Sequence, residues 1–142
     1  MKKLLLFFIG SIFAKAHAQT QFQPGDLVPV AYRMSATGAE DEIALLTLVD
    51  ILPGTTINIT DAKYTANTIA QCDGGLVWTA PATGLGAGNV IRIENDIPKV
   101  SVGIIAGKKF GLSSGGDQVI VYSGTAQTPT YITAMSANNW EP

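Results

Sequence analysis

Ile43-Ala44-Leu45-Leu46-Thr47-Leu48-Val49, then Pro53-Gly54, then Thr55-Thr56-Ile57-Asn58-Ile59-Thr60-Asp61 is the stretch that decides the fold. The first run is apolar at both alternating sets of positions, the pattern of a central strand covered on two faces. Pro53-Gly54 turns the chain directly afterwards. The second run alternates, with Ile57 and Ile59 expected inward and Thr56, Asn58 and Thr60 outward, as a half-buried antiparallel strand requires. The two runs are expected to pair as a hairpin in the middle of the core.

The same punctuation recurs on either side of this stretch. Leu27 to Arg33 reads as a strand after the Pro24-Gly25 turn, with Val28, Val30 and Tyr32 on one face. Pro29 suits an edge position there, because it has no N–H to give to a ladder. Leu76 to Thr79, Asn89 to Glu94, Val100 to Ile105, Gln118 to Ser123 and Thr130 to Met135 read as further strands. Ser35 to Glu42 is a polar loop, Ala62 to Gly75 the longest irregular stretch, and Gly84-Leu85-Gly86-Ala87-Gly88 a flexible hairpin. No i, i+3, i+4, i+7 stripe runs beyond two turns. About eight short strands with regular turn signals predict an all-β antiparallel sandwich. Its expected core is Leu45, Leu48, Ile57, Ile59, Ile91, Ile93, Val119 and Val121.

The chain has 142 residues, 46% hydrophobic and 14% charged, enough apolar material for one core. Its first 18 residues read differently. Met1-Lys2-Lys3 is a basic start, Leu4 to Ala14 an apolar run, and Ala16-His17-Ala18 a small-x-small cleavage site. This is the pattern of a Sec-type signal peptide over 1–18, cut before Gln19, with a single domain over 19–142 that is secreted or held at the cell surface. The apolar run is well short of the roughly 20 residues a spanning helix needs, and no transmembrane segment is expected in the mature chain.

Lys2, Lys3 and Lys15 leave with the signal, so six basic residues face eleven acidic ones. That balance argues against nucleic acid as a partner. His17, the single histidine, leaves too, which removes imidazole from any mechanism. Cys72 is a lone thiol bound for an oxidising compartment, with no internal partner and no histidine to activate it. It is either an ordinary loop residue or one that pairs with another chain or with a segment outside these 142 residues.

Gly111-Leu112-Ser113-Ser114-Gly115 matches the G-x-S-x-G pattern of a nucleophile elbow, but no base is present and a β-branched strand follows where a helix is needed. A tight turn is the reading. Gly107-Lys108-Lys109 lacks the spacing and the hydroxyl residue of a phosphate loop. Asn58-Ile59-Thr60 is a formal glycosylation acceptor inside an expected strand, behind a signal of bacterial character, and is discounted.

Carboxylates are the chemistry that remains. Asp41 and Glu42, with Asp61 or Asp73 from the neighbouring long loop, are the candidate ligands for Ca²⁺, the ion that oxygen donors outside the cell would hold. Two other readings stay open: carboxylates that cap turns, and the acid pair of a glycosidase. No other cofactor is expected. Tyr64 and Trp140 are the candidate ligand-stacking aromatics, whereas Trp78, Tyr122 and Tyr131 lie in strands, where core packing is the usual fate.

Gly25-Asp26-Leu27 with Tyr32, Asp41-Glu42-Ile43-Ala44-Leu45-Leu46, Pro53-Gly54-Thr55 leading to Thr60-Asp61, Trp78-Thr79-Ala80-Pro81, Gly88-Asn89-Val90-Ile91 and Gly116-Asp117-Gln118 occur in this order along the chain. Together they resemble a module of secreted Bacteroidota-type surface proteins. The resemblance implies a lamin-tail-like or immunoglobulin-like sandwich with no catalytic residue to transfer. The chain departs from that pattern at Tyr64, where a tryptophan is usual, and at Cys72. Such modules also run on past the position of Trp140, and a tryptophan so near the last residue leaves two readings open, a complete domain or a piece of a longer protein.

The expected function is therefore a non-catalytic extracellular β-sandwich module for surface attachment or assembly, meeting an extracellular protein or polysaccharide. The alternative is a carbohydrate- or Ca²⁺-binding accessory module of a secreted enzyme.

Overall fold

The computed structural model describes residues 18–34, 41–65, 68–70, 74–95, 98–109, 111–113 and 117–137. Residues 1–17 of the expected signal peptide, Cys72, Asp73 and Trp140 lie outside them. Among the described residues the chain is all β: β1 (Leu27–Arg33), β2 (Glu42–Thr47), β3 (Thr56–Thr60), β4 (Tyr64–Thr65), β5 (Thr68–Ile69), β6 (Gly75–Thr79), β7 (Val90–Glu94), β8 (Lys99–Val100), β9 (Ile104–Lys108), β10 (Gln118–Thr125) and β11 (Thr128–Ser136). A four-stranded antiparallel sheet runs β1-β2-β7-β8 and a five-stranded one β11-β10-β3-β6-β9, with β4 and β5 forming a small hairpin.

Strand alternation explains the core. Leu27, Ile43, Leu45, Ile91 and Ile93 point inward from the first sheet, and Ile57, Ile59, Leu76, Trp78, Val119, Val121 and Ile132 from the second. Each such side chain withdrawn from water contributes about 1.5–3 kcal/mol. The two layers are a β-sandwich, as expected.

Several expectations need correction. β2 and β3 are not a hairpin: β2 pairs with β1 and β7, whereas β3 pairs with β10 and β6. The chain crosses between layers after β2, and Ile51 is stitched on the way to Leu85 by two backbone hydrogen bonds of 2.7 and 2.9 Å. The glycine run 84–88 that supplies Leu85 likewise joins β6 to β7 across the layers and is not a hairpin. β2 is covered on one face only, since Ala44 and Leu46 remain half-buried.

Leu48 is 53% exposed and does not belong to the core. Thr47 takes the inward position: its hydroxyl donates to the Gly86 carbonyl at 3.0 Å and accepts from the Asn89 N–H at 3.1 Å. Thr60, expected outward, is buried, and its hydroxyl accepts the Ala62 N–H at 3.1 Å. The segment 100–105 is not one strand. β8 ends in the first sheet and β9 begins in the second, with Gly103 at φ 85° making the corner.

Val28 and Tyr32 do not share a face, because the β1 register shifts between Pro29 and Ala31, setting Val28 opposite Leu46 and Tyr32 opposite Ile43. Finally, the stretch 62–75 contains β4 and β5, which cover part of the outer face of the second sheet. Ala62, Ile69, Ile120 and Tyr122 are buried there as a second, smaller core.

Candidate functional site

The carboxylates were the sequence candidates, and the structure gives most of them loop-closing roles. Asp26 accepts the Gln23 N–H at 2.7 Å, Asp50 that of Ala87 at 2.8 Å, and Asp117 those of Ser113 and Gln118 at 3.1 and 2.8 Å. Asp41, 1% exposed, accepts the Leu112 N–H at 3.0 Å from a loop far along the chain. Glu42 turns the other way, as successive residues on an extended backbone do, and meets Arg92 and Arg33. The structure therefore does not bring Asp41 and Glu42 to one ion. Asp61 is half-buried just before β4, and Asp73 lies outside the described residues. No group of three or more His, Cys, Asp or Glu suited to a metal occurs among the described residues. The melting temperature is accordingly expected to be the same in excess chelator and in about 10 mM calcium, a concentration well above the affinity range of extracellular sites. A rise of several degrees in calcium would show a site, with acids outside the described residues, Asp73 among them, as its candidate ligands.

On the outer face of the first sheet, cross-strand register sorts side chains into rows. Val28, Leu46 and Val90 lie opposite one another, and Arg33, Glu42, Glu94 and Lys99 form the row at the other end. Arg92 sits between them, bonded to Glu42 and 3.6 Å from Glu94, while Lys99 is 3.8 Å from Glu94. The Arg92 guanidinium holds Glu42 below the usual carboxylate range. What this adds to stability is present above the ordinary range and lost as pH falls through the depressed value, and solvent screening keeps it slight. The apolar row is the unusual part. Val90 is 46% exposed, Val28 and Leu46 are half-buried, and Leu48, directly after inward Thr47, is 53% exposed.

The second sheet carries a groove of about 550 Å³ beside the β4–β5 hairpin, lined by Pro24, Tyr64, Ile120, Tyr131, Ile132, Thr133 and Ala134. Tyr64, a sequence candidate, is 44% exposed and meets Tyr131 edge to face, with ring centroids 6.3 Å apart at 86°. Tyr131 was expected in the core. It is instead half-buried on the outer face, opposite Tyr122 across the β10–β11 ladder. Its hydroxyl oxygen is shut off from solvent without a hydrogen-bond partner, the one such side-chain atom among the described residues. Burial, with the neighbouring Tyr64, pushes the Tyr131 pKa up, so the group keeps its proton and remains a donor. The unfolded chain ionises first, so stability falls as pH rises past the ordinary tyrosine range. Trp140, the other aromatic candidate, lies outside the described residues.

Among the described residues, fold and surface define a two-sheet antiparallel β-sandwich protein with an apolar row on its first sheet and a tyrosine-lined groove on its second. Set beside known protein families, curated proteins and solved structures, the chain matches none of them. Among the described residues no helix is long and apolar enough to cross a membrane.

Proposed function

We propose that this chain is an exported, non-catalytic β-sandwich module, of the lamin-tail-like or immunoglobulin-like kind found in Bacteroidota-type surface proteins, serving attachment or assembly at the cell surface. The observation that carries the reading is the apolar row Val28, Leu46 and Val90, with exposed Leu48 two residues on from Leu46, on a sheet face with no layer over it among the described residues. Contiguous exposed apolar surface bordered by charge is the mark of a protein contact face. The ion-paired row at the far end of the same face supplies a polar border.

The use of the carboxylates supports the same reading. Asp26, Asp41, Asp50 and Asp117 each accept a loop backbone N–H, Asp117 that of Ser113 among them. A carbohydrate- or Ca²⁺-binding accessory role would draw on Asp41 and Glu42 together, and these face apart.

The test is surface retention. In cells producing the chain, the double substitution Leu48→Glu and Val90→Glu is expected to lower the cell-bound fraction about tenfold or more, corresponding to at least about 1.4 kcal/mol of lost contact. Both positions are exposed, so folding stability should stay within about 0.5 kcal/mol of the parent. Unchanged retention of a folded variant contradicts the proposal.

A further inference from the structure

A second site lies on the opposite sheet from the proposed contact face and stands independently of it. Its volume of about 550 Å³ falls in the usual range for small-molecule sites, and its lining is apolar apart from a few hydroxyls and backbone groups. Tyr64 and Tyr131 already stand edge to face, an arrangement that a third ring extends without loss because aromatic edges and faces carry opposite partial charge. The Tyr131 hydroxyl is a buried donor left without an acceptor, which a folded protein ordinarily avoids.

We propose that the groove between β11 and the β4–β5 hairpin binds a small, neutral aromatic molecule bearing a hydrogen-bond-accepting oxygen, with the ring against Tyr64 and Tyr131 and the oxygen accepting the Tyr131 O–H. Sugars fit the lining less well. A pyranose brings several hydroxyls into a wall of Pro24, Ile120, Ile132 and Ala134, where most would go unpartnered. The Tyr131 hydroxyl is closed off from solvent in the unliganded fold, so a ligand oxygen reaches it only with a small shift of the side chains lining the groove. Tyr64 is 44% exposed, and exposed side chains change rotamer within picoseconds to nanoseconds.

Three probes separate the parts of the proposal: acetophenone, which has a ring and an acceptor; ethylbenzene, which has the ring alone; and methyl glucopyranoside. Each is titrated into the isotopically labelled mature chain and followed by amide chemical shifts. Acetophenone is expected to shift Ile120 and Tyr131 to Ala134 saturably, and to bind about 3- to 10-fold more tightly than ethylbenzene, the worth of one net hydrogen bond. Tyr131→Phe should abolish that preference while leaving ethylbenzene binding unchanged. This variant removes an atom with no partner, so it keeps the fold, which its own spectrum verifies. The proposal is overturned if neither aromatic gives saturable shifts at these residues, if the preference survives in Tyr131→Phe, or if the glucoside binds there more tightly than acetophenone.

Discussion

Trp78→Ala is expected to remove about 3–5 kcal/mol of folding stability, the largest loss from any single core truncation in this chain. Trp78 is fully buried on the inner face of the five-stranded sheet, on β6 beside the central strand β3, and its indole N–H donates to the Val102 carbonyl at 2.7 Å. That bond ties β6 to the corner by which the chain passes from β8 in one layer to β9 in the other. Truncation leaves both a void between the sheets and an acceptor with no donor. A domain of this size has roughly 6–18 kcal/mol in total, so the variant should melt roughly 10–20 °C lower. Trp78→Phe keeps most of the volume and loses the donor, for an expected cost of about 1–3 kcal/mol. Denaturant titration followed by circular dichroism measures both, and a loss under 1 kcal/mol for Trp78→Ala would show that the indole is not the hub of the core.

The second large effect belongs to Gly103. At φ 85° it occupies backbone space that L-residues enter at a cost of about 1–2 kcal/mol. A Cβ there would also lie 2.4 Å from the Thr79 carbonyl and 2.7 Å from the Trp78 indole nitrogen. Gly103→Ala therefore has to separate β9 from β6 or displace the indole, and about 2–4 kcal/mol is expected. Gly54→Ala is the comparison. Its φ is 71°, but nothing lies within 4 Å of the added carbon, so only the backbone cost should appear. If the two variants lose the same stability, the close packing at the corner has no energetic consequence.

The fold class was legible because period-2 alternation states which residues face inward. Ile43 and Leu45, Ile57 and Ile59, Ile91 and Ile93, and Val119 and Val121 all follow it. Alternation does not state which sheet a strand joins. Two strands with inward isoleucines are equally served by lying side by side or face to face, and β2 and β3 lie in opposite layers. The connector 48–55 was the available clue, since it is longer than a tight hairpin turn and holds Ile51, whose backbone pairs with Leu85.

Two-sided apolarity in the sequence of β2 does not make it the strand covered on both faces. β10 is the strand buried on both faces, because β4 and β5 close over Ile120 and Tyr122. The long outward side chains of Ile120 and Tyr122 carried that signal, against the short Ala44 of β2. Thr47 and Leu48 exchanged places for a related reason. A threonine hydroxyl is admitted to the interior when the adjacent loop supplies partners, and Gly86 and Asn89 are distant in sequence.

The candidate site was legible in part. Tyr64 was singled out as a loop aromatic, and it does line the groove. Tyr131 was not, because its position depends on the β10–β11 register and its irregularity between Val121 and Tyr122. Asp41 and Glu42 were grouped because they are adjacent in sequence, which in an extended chain is what sends them to opposite faces.

Export of this module is tested most directly by the mass and location of the mature chain. Cells producing the full sequence are fractionated, and the chain is recovered and its intact mass and first residue determined. A chain beginning at Gln19 in the surface or extracellular fraction is expected. A chain beginning at Met1 and confined to the cytosol would contradict export.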